Sequence, residues 1–130
     1  MKKKVYFAHS KMIYDTKEEA DYINYLTSKG YHVICPNNDI GELGSMEPYL
    51  KIVKKCKKVI FTEYREHIGR GVYEEVKTAL NNNIPVLLLR KTGSSHELIP
   101  IKGLKVFDPT DWKFKYGIAI TEDITEPQTL

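Results

Sequence analysis

The chain has 130 residues, of which 42% are hydrophobic and 28% are charged. This length suits one compact domain and is too short for two full cores. The composition, with 8 Gly and 6 Pro, is that of a soluble globular protein and excludes collagen-like and wholly disordered chains. Apolar runs such as Val86 to Leu89 are far shorter than the ~20 residues of a membrane span. We therefore expect no membrane partner and no export signal.

Charge and cysteine usage narrow the class further. The formal net charge of +3 is much weaker than the concentrated basic face of a dedicated nucleic-acid binder, so we expect no nucleic-acid partner. Cys35 and Cys56 show no CxxC spacing, which favours a reducing, cytoplasmic location, although the sequence leaves a disulfide between them open. The histidines are dispersed and join neither cysteine at metal-ligand spacing; they are His9, His32, His67 and His96. We predict no metal and no cofactor.

The chain alternates strand-like and helix-like segments. Strands are predicted at Val5 to Ala8, Tyr31 to Cys35, Val59 to Thr62, Pro85 to Leu89 and Leu104 to Phe107. Helices are predicted from the capping box Thr16 to Glu19 up to Gly30, from Ser45 to about Cys56, and from Val72 to about Asn83, with a helical turn at Glu97 to Ile101. The order of elements is that of repeated β-α-β units.

This alternation predicts a doubly wound, flavodoxin-like or Rossmann-like α/β fold. We expect a three-layer sandwich with a five-stranded parallel sheet in the order 2-1-3-4-5. Residues 1–108 would form a single α/β domain, and residues 109–130 would be a C-terminal extension packed on the domain or on a dimer partner. In such sheets ligands bind at the carboxyl ends of the strands, where the order reverses between strands 1 and 3.

Two loops at that edge carry candidate binding residues. The loop after strand 1 begins His9-Ser10-Lys11 and offers an imidazole, a hydroxyl and an ammonium group. The loop after strand 3 contains Gly69-Arg70-Gly71 and runs into a helix, whose unpaired N–H groups favour a phosphate or another anion. Arg70 would add a planar cationic donor. The same glycines are also compatible with a simple tight turn, and neither loop has the spacing of a dinucleotide fingerprint or a P-loop.

Helical geometry separates the two acids that open the third helix. The apolar stripe of this helix runs through Val72, Val76, Ala79 and Leu80. At about 100° per residue, Glu74 points away from the stripe, whereas Glu75 lies on its shoulder within the first turn. Glu75 is therefore the candidate catalytic carboxylate, although acids are also common in a first helical turn because they complement the helix dipole.

Several of these motifs together resemble the nucleoside 2-deoxyribosyltransferase family, and within it the 2′-deoxynucleoside 5′-monophosphate N-glycosidases. The motifs are Lys4 to Ser10, Val59 to Thr62, Gly71 to Glu75 and Ile84 to Val86. The resemblance implies that Glu75 attacks the anomeric carbon of the sugar, that Tyr6 lies against base or sugar, and that Ser10 belongs to the loop that receives the 5′-phosphate. It also implies a homodimer, to which Ser94, Ser95 and His96 could contribute.

The chain departs from the family pattern at two positions. The family usually has an aspartate in the second helix, where this sequence has Tyr49 or Leu50, and the nearest acid is Glu47. Either Glu47 substitutes as a binding residue, or the chemistry has changed or been lost. The glycine that commonly follows the catalytic glutamate by two residues is Lys77 here.

Two alternatives to a nucleoside or nucleotide N-glycosidase stay open. The phosphoribohydrolases of the lysine-decarboxylase-like family share only the spacing from Gly71 to Glu75. A sensor module would bind a nucleotide without turning it over, and the missing aspartate is compatible with that role. The base, the sugar and the choice between hydrolysis and transfer lie beyond the sequence.

Overall fold

The computed structural model describes residues 3–36, 47–64, 68–104 and 118–119. The strands in these ranges are β1 (Lys3–Ala8), β2 (Tyr31–Ile34), β3 (Lys58–Phe61), β4 (Val86–Thr92), β5 (Ser95–Ile101), β6 (Gly103–Leu104) and β7 (Ile118–Ala119). The α-helices are α1 (Lys17–Ser28), α2 (Glu47–Val53) and α3 (Arg70–Asn81), and a short 3-10 helix covers Lys11–Ile13. The protein therefore has the α/β character that the sequence predicts.

The main sheet has five strands in the order β2-β1-β3-β4-β5, which confirms the predicted order of the first four strands, whereas the fifth strand is a different segment from the predicted one. The pairs β1 with β2, β1 with β3, and β3 with β4 are parallel. The prediction of a wholly parallel sheet is wrong, because β5 runs antiparallel to β4. A two-residue turn joins these strands, and Gly93 adopts a φ of 64° there, so the chain reverses without a crossover helix.

Two local predictions near β5 are wrong because the chain turns back directly after β4 and forms a strand there. The helical turn expected at Glu97 to Ile101 is part of β5, and the fifth strand of the sheet precedes the predicted Leu104 to Phe107. Pro100 lies within β5, where an edge strand tolerates a residue without an N–H group. Gly103–Leu104 instead pairs with Ile118–Ala119 in a separate two-stranded sheet, and residues 105–107 lie outside the described ranges.

The buried side chains form two clusters, and successive residues of β1 join them in turn. Tyr6 and Ala8 pack in one cluster with residues of α3 such as Val76. Val5 and Phe7 pack in the other with Leu26 of α1. Successive residues of a strand point to opposite faces, so β1 contributes side chains to both clusters.

Helix α1 begins and ends where the sequence predicts. The Thr16 hydroxyl accepts a hydrogen bond from the Glu19 N–H, and Gly30 has a φ of 92° after the last turn. The Thr16 N–H donates to the Ile13 carbonyl oxygen at 3.2 Å, and Glu19 Oε1 accepts from the Asp15 N–H at 3.0 Å. Among the described helices, none has the length and apolarity that crossing a membrane requires.

Candidate active site

A tyrosine and a glutamate meet near the carboxyl edge of the sheet, two residues before the end of its first strand. Tyr6 lies on β1 and Glu75 in α3, and the Tyr6 hydroxyl donates a hydrogen bond to Glu75 Oε2. Tyr6 is completely buried, and Glu75 is only 6% exposed. The adjacent Glu74 is only partly buried, so the structure separates the two acids as the helical geometry predicts.

The environment of Glu75 shifts the pKa of its carboxyl toward neutrality. Burial disfavours the charged carboxylate and raises the pKa to about 7, and the hydrogen bond from Tyr6 opposes that shift. Burial and the neighbouring Glu75 charge raise the pKa of Tyr6, so its phenol stays protonated and remains a donor. A carboxyl with a pKa near 7 exchanges a proton readily at neutral pH, which is the property expected of a reactive acid.

Two further tyrosines lie near this pair. Burial raises the pKa of Tyr14 to about 12, and the nearby Glu75 and Tyr49 add to the shift. Tyr49 also contributes to the raised pKa of Tyr6. The phenols of Tyr6 and Tyr14 therefore lie close to Glu75, and Tyr49 lies close to both phenols. Tyr49 or Leu50 takes the place where the resembled family usually has an aspartate.

Helix α3 begins at Arg70, two residues before the predicted Val72, so the prediction that Glu75 lies in the first turn is wrong and Glu75 falls in the second turn. Gly69 is the N-cap residue, and its carbonyl accepts the first helical bond from the Tyr73 N–H at 3.0 Å. The N–H groups of Arg70 and Gly71 fall in the first turn and have no partner within the helix. Gly69 has a φ of −85°, and a Cβ added there would meet nothing within 4 Å, so open space lies next to this residue. The Arg70 side chain is outside the described structure.

Ser10 and Glu47 take positions apart from the buried pair. The Ser10 hydroxyl caps the 3-10 helix by accepting from the Met12 N–H at 3.1 Å. The Glu47 side chain is 78% exposed and pairs with Lys51 at 3.8 Å on the same helix. The structure does not bring Glu47 into the buried group around Glu75.

His9 joins a second buried cluster at the same edge. Its Nε2 lies 2.6 Å from Glu19 Oε2, and its Nδ1 lies 2.9 Å from the Phe7 carbonyl oxygen. Cys35, directly after β2, places Sγ 3.7 Å from Glu19 Oε2 and 4.0 Å from His9 Nε2. His9, Glu19 and Cys35 are 3 to 4% exposed.

Sequence reasoning singled out His9 but missed both of its partners. Glu19 was explained by the capping box, and Cys35 stands 26 residues from His9, far from any short metal-ligand motif. The predicted strand order contained the missing signal. Strands 1 and 2 are neighbours in that order, so the residues that follow each strand must lie close together.

The remaining sequence candidates have structural contacts of their own or fall outside the described ranges. Lys77 Nζ lies 3.1 Å from the Tyr73 hydroxyl, and His96 Nε2 lies 2.8 Å from Asp21 Oδ2. Ser94 and Ser95 are exposed in and after the turn between β4 and β5. His67 is not described, nor is most of the extension at 109–130.

The comparisons with known proteins do not extend this picture. The chain matches no protein-family model, and no curated protein or solved structure gives a significant match. The resemblance to the nucleoside 2-deoxyribosyltransferases therefore stays a prediction from sequence motifs.

Proposed function

We propose that the protein is an N-glycosidase that acts on a nucleoside or a nucleoside 5′-monophosphate. The observation that supports this most is the buried Glu75 carboxyl, held by the Tyr6 hydroxyl near the carboxyl edge of the sheet. Ligands of doubly wound α/β proteins bind at this edge, where the order reverses between β1 and β3. Glycosidic cleavage requires a carboxylate that attacks, or stabilises, a developing positive charge at the anomeric carbon.

Glu75 would act in its ionised form. A carboxylate oxygen forms a bond to the anomeric carbon while the bond to the base nitrogen breaks, and the base leaves with that electron pair and takes up a proton. Water then attacks the glycosyl ester and releases the sugar, or an acceptor base does so and the reaction is a transfer. Because the pKa of Glu75 is raised to about 7, activity should rise with pH through that value.

The other predicted residues would bind the substrate. The N–H groups of Arg70 and Gly71 at the start of α3 could hold a 5′-phosphate, together with the Ser10 loop. Tyr6 would contact base or sugar while orienting Glu75. We also propose a three-layer doubly wound arrangement, a cytoplasmic location and a homodimer, as the sequence analysis expects.

The decisive test is a chromatographic assay with a panel of nucleosides and nucleoside monophosphates, with and without a free acceptor base. We expect the wild-type protein to release free base and the Glu75→Gln variant to lose more than about 10³-fold of that rate. Glu74→Gln is the matched control, since the neighbouring acid lies outside the buried pair, and it should keep activity. Equal activity of the two variants would contradict the role of Glu75.

A sensor that binds nucleotides without turning them over is the second candidate. It is favoured by the place in α2 where the resembled family usually has an aspartate, because this chain has Tyr49 or Leu50 there, and Tyr49 lies near Tyr6 and Tyr14. A phenol is a weaker acid than a carboxyl group and a poor replacement for it. The same assay separates the candidates, because a sensor binds nucleotides measurably by calorimetry but releases no base.

A further inference from the structure

The cluster of His9, Glu19 and Cys35 combines three kinds of metal-binding atom. The imidazole nitrogen, the carboxylate oxygen and the sulfur all lie within 4.8 Å of one another, and all three residues are buried. They come from three different parts of the chain: His9 directly follows β1, Glu19 lies in the first turn of α1, and Cys35 directly follows β2. Nitrogen, oxygen and sulfur ligands in one site are typical of zinc and are unsuited to magnesium or calcium, which prefer oxygen.

The hydrogen bonding of His9 orients the ring for this role. A carbonyl oxygen can only accept, so His9 Nδ1, 2.9 Å from the Phe7 oxygen, carries a hydrogen. Metal-binding histidines commonly donate one N–H to a carbonyl or carboxylate in this way, which leaves the other nitrogen for the metal. The ring also stacks on Phe7 with centroids 4.2 Å apart, which fixes its plane.

The same geometry argues against a nucleophilic triad. In a cysteine–histidine–carboxylate triad the thiol and the carboxylate contact opposite nitrogens of the imidazole. Here Glu19 and Cys35 both approach Nε2, at 2.6 Å and 4.0 Å, while the backbone occupies Nδ1. The three side chains therefore converge on one point instead of forming a relay.

We propose that His9 Nε2, Glu19 Oε2 and Cys35 Sγ bind a zinc ion. Bonds of about 2.0 Å to nitrogen and oxygen and about 2.3 Å to sulfur place tetrahedral ligand atoms about 3.3 to 3.6 Å apart. The Nε2–Oε2 separation of 2.6 Å must open slightly, and the sulfur separations of 3.7 and 4.0 Å must close slightly. Three protein ligands leave the fourth position to water or another small ligand.

Charge balance supports a divalent ion in this buried place. Zinc ligands bind in their deprotonated forms, so the bound site would contain a neutral imidazole, a carboxylate and a thiolate. Their combined charge of about −2 matches a divalent cation, so the bound site carries no net charge, as burial requires.

Cobalt substitution and zinc titration test the site in the purified full-length chain after treatment with a chelator. We expect one zinc ion per chain and a thiolate-to-cobalt charge-transfer band with Co²⁺. Calorimetry in buffers of different ionisation enthalpy should show that zinc binding releases protons, because the ligands bind in their deprotonated forms. The measurement uses no nucleotide, so its result is independent of the proposed glycosidase activity.

Matched variants distinguish this site from adventitious binding. Cys35→Ser should abolish the charge-transfer band and weaken zinc binding by more than about 100-fold. Loss of a residue that only hydrogen-bonds to a metal ligand already lowers metal affinity by about 10 to 100-fold, and loss of a ligand should cost more. Cys56→Ser alters the other buried cysteine and should keep both. His9→Gln should weaken zinc binding, and His96→Gln should not. Absence of the band in the wild type, or its persistence in Cys35→Ser, would overturn the proposal.

Discussion

Glu75 and Asp21 differ in burial, and their carboxyl pKa values are shifted in opposite directions. Glu75 is 6% exposed, its partner is the neutral Tyr6 phenol, and its pKa is raised to about 7. The Asp21 side chain is 38% exposed and contacts His96 Nε2 at 2.8 Å and Lys91 Nζ at 3.1 Å. The hydrogen bonds from His96 and Lys91 hold the pKa of Asp21 below its ordinary value.

The contrast teaches that burial decides which acid can react near neutral pH. Both carboxylates accept hydrogen bonds, but only Glu75 is removed from water without a cationic partner among the causes of its shift. Asp21 stays charged because solvent and two basic side chains favour the ion. Its contacts join α1 to the β4–β5 hairpin, so its role is structural.

Removing the Glu75 carboxyl should have the largest effect on stability in this comparison. The pKa of Glu75 is about 7 in the folded protein and about 4.5 when unfolded, so the folded state holds a proton that the unfolded state loses between these values. The free energy of unfolding therefore falls as the pH rises through this window. Glu75→Gln should remove roughly 2–3 kcal/mol of that fall between pH 5 and pH 8, as measured by urea unfolding.

Glu74→Gln is the control for this measurement, because no buried pair is lost with it. Its unfolding free energy should follow the pH dependence of the wild type. If the wild type and Glu75→Gln changed in parallel with pH, the raised pKa of Glu75 would be contradicted.

Replacing Tyr6 by Phe should raise the pKa of Glu75 further above that of Asp21. The Tyr6 hydrogen bond stabilises the Glu75 carboxylate and lowers its pKa, so loss of the hydroxyl leaves only the effect of burial. Hydrogen bonds to charged groups are worth about 1.5–3 kcal/mol, which corresponds to an upward change of the titration midpoint by about one pH unit or more. Carbon-13 NMR of the Glu75 carboxyl would follow the midpoint directly.

Tyr22→Phe is the matched control, since Tyr22 packs against the other buried cluster. It should leave the Glu75 midpoint unchanged. A midpoint that stayed constant in Tyr6→Phe would show that the phenol does not stabilise the carboxylate.

The ends of α1 and the buried face of α3 could be predicted from the sequence, because local patterns specify them. The Thr16 cap, Gly30 at the end of α1, and the apolar stripe of α3 each depend on residues near one another in the chain. The stripe was sufficient to choose Glu75 over Glu74. The antiparallel direction of β5 was not predicted. The hydrophobic pattern of a strand does not indicate whether it runs parallel or antiparallel to its neighbour, and the short segment around Gly93 was not recognised as a tight turn between two strands.

The partners of the site residues were harder to predict because they are distant in sequence. Tyr6 and Glu75 are 69 residues apart, and only the fold joins them. The resemblance implied a role for both residues without predicting that they contact each other. Glu19 satisfied a local pattern and therefore gave no sign of its second contact with His9.

Neutralising Asp21 should give the smallest effect. Its lowered pKa contributes stability that is present above the ordinary value of 3.8 and is lost as the pH falls through the folded value. Exposed ion pairs contribute little and are screened by salt, so Asp21→Asn should lower the urea midpoint only slightly at neutral pH, and less at high salt than at low salt. The Glu75→Gln difference should persist at both salt concentrations, because salt screens a buried carboxyl much less than an exposed one. A salt-independent change of the unfolding free energy in Asp21→Asn, as large as the difference between Glu75→Gln and the wild type, would remove the distinction between the two carboxylates.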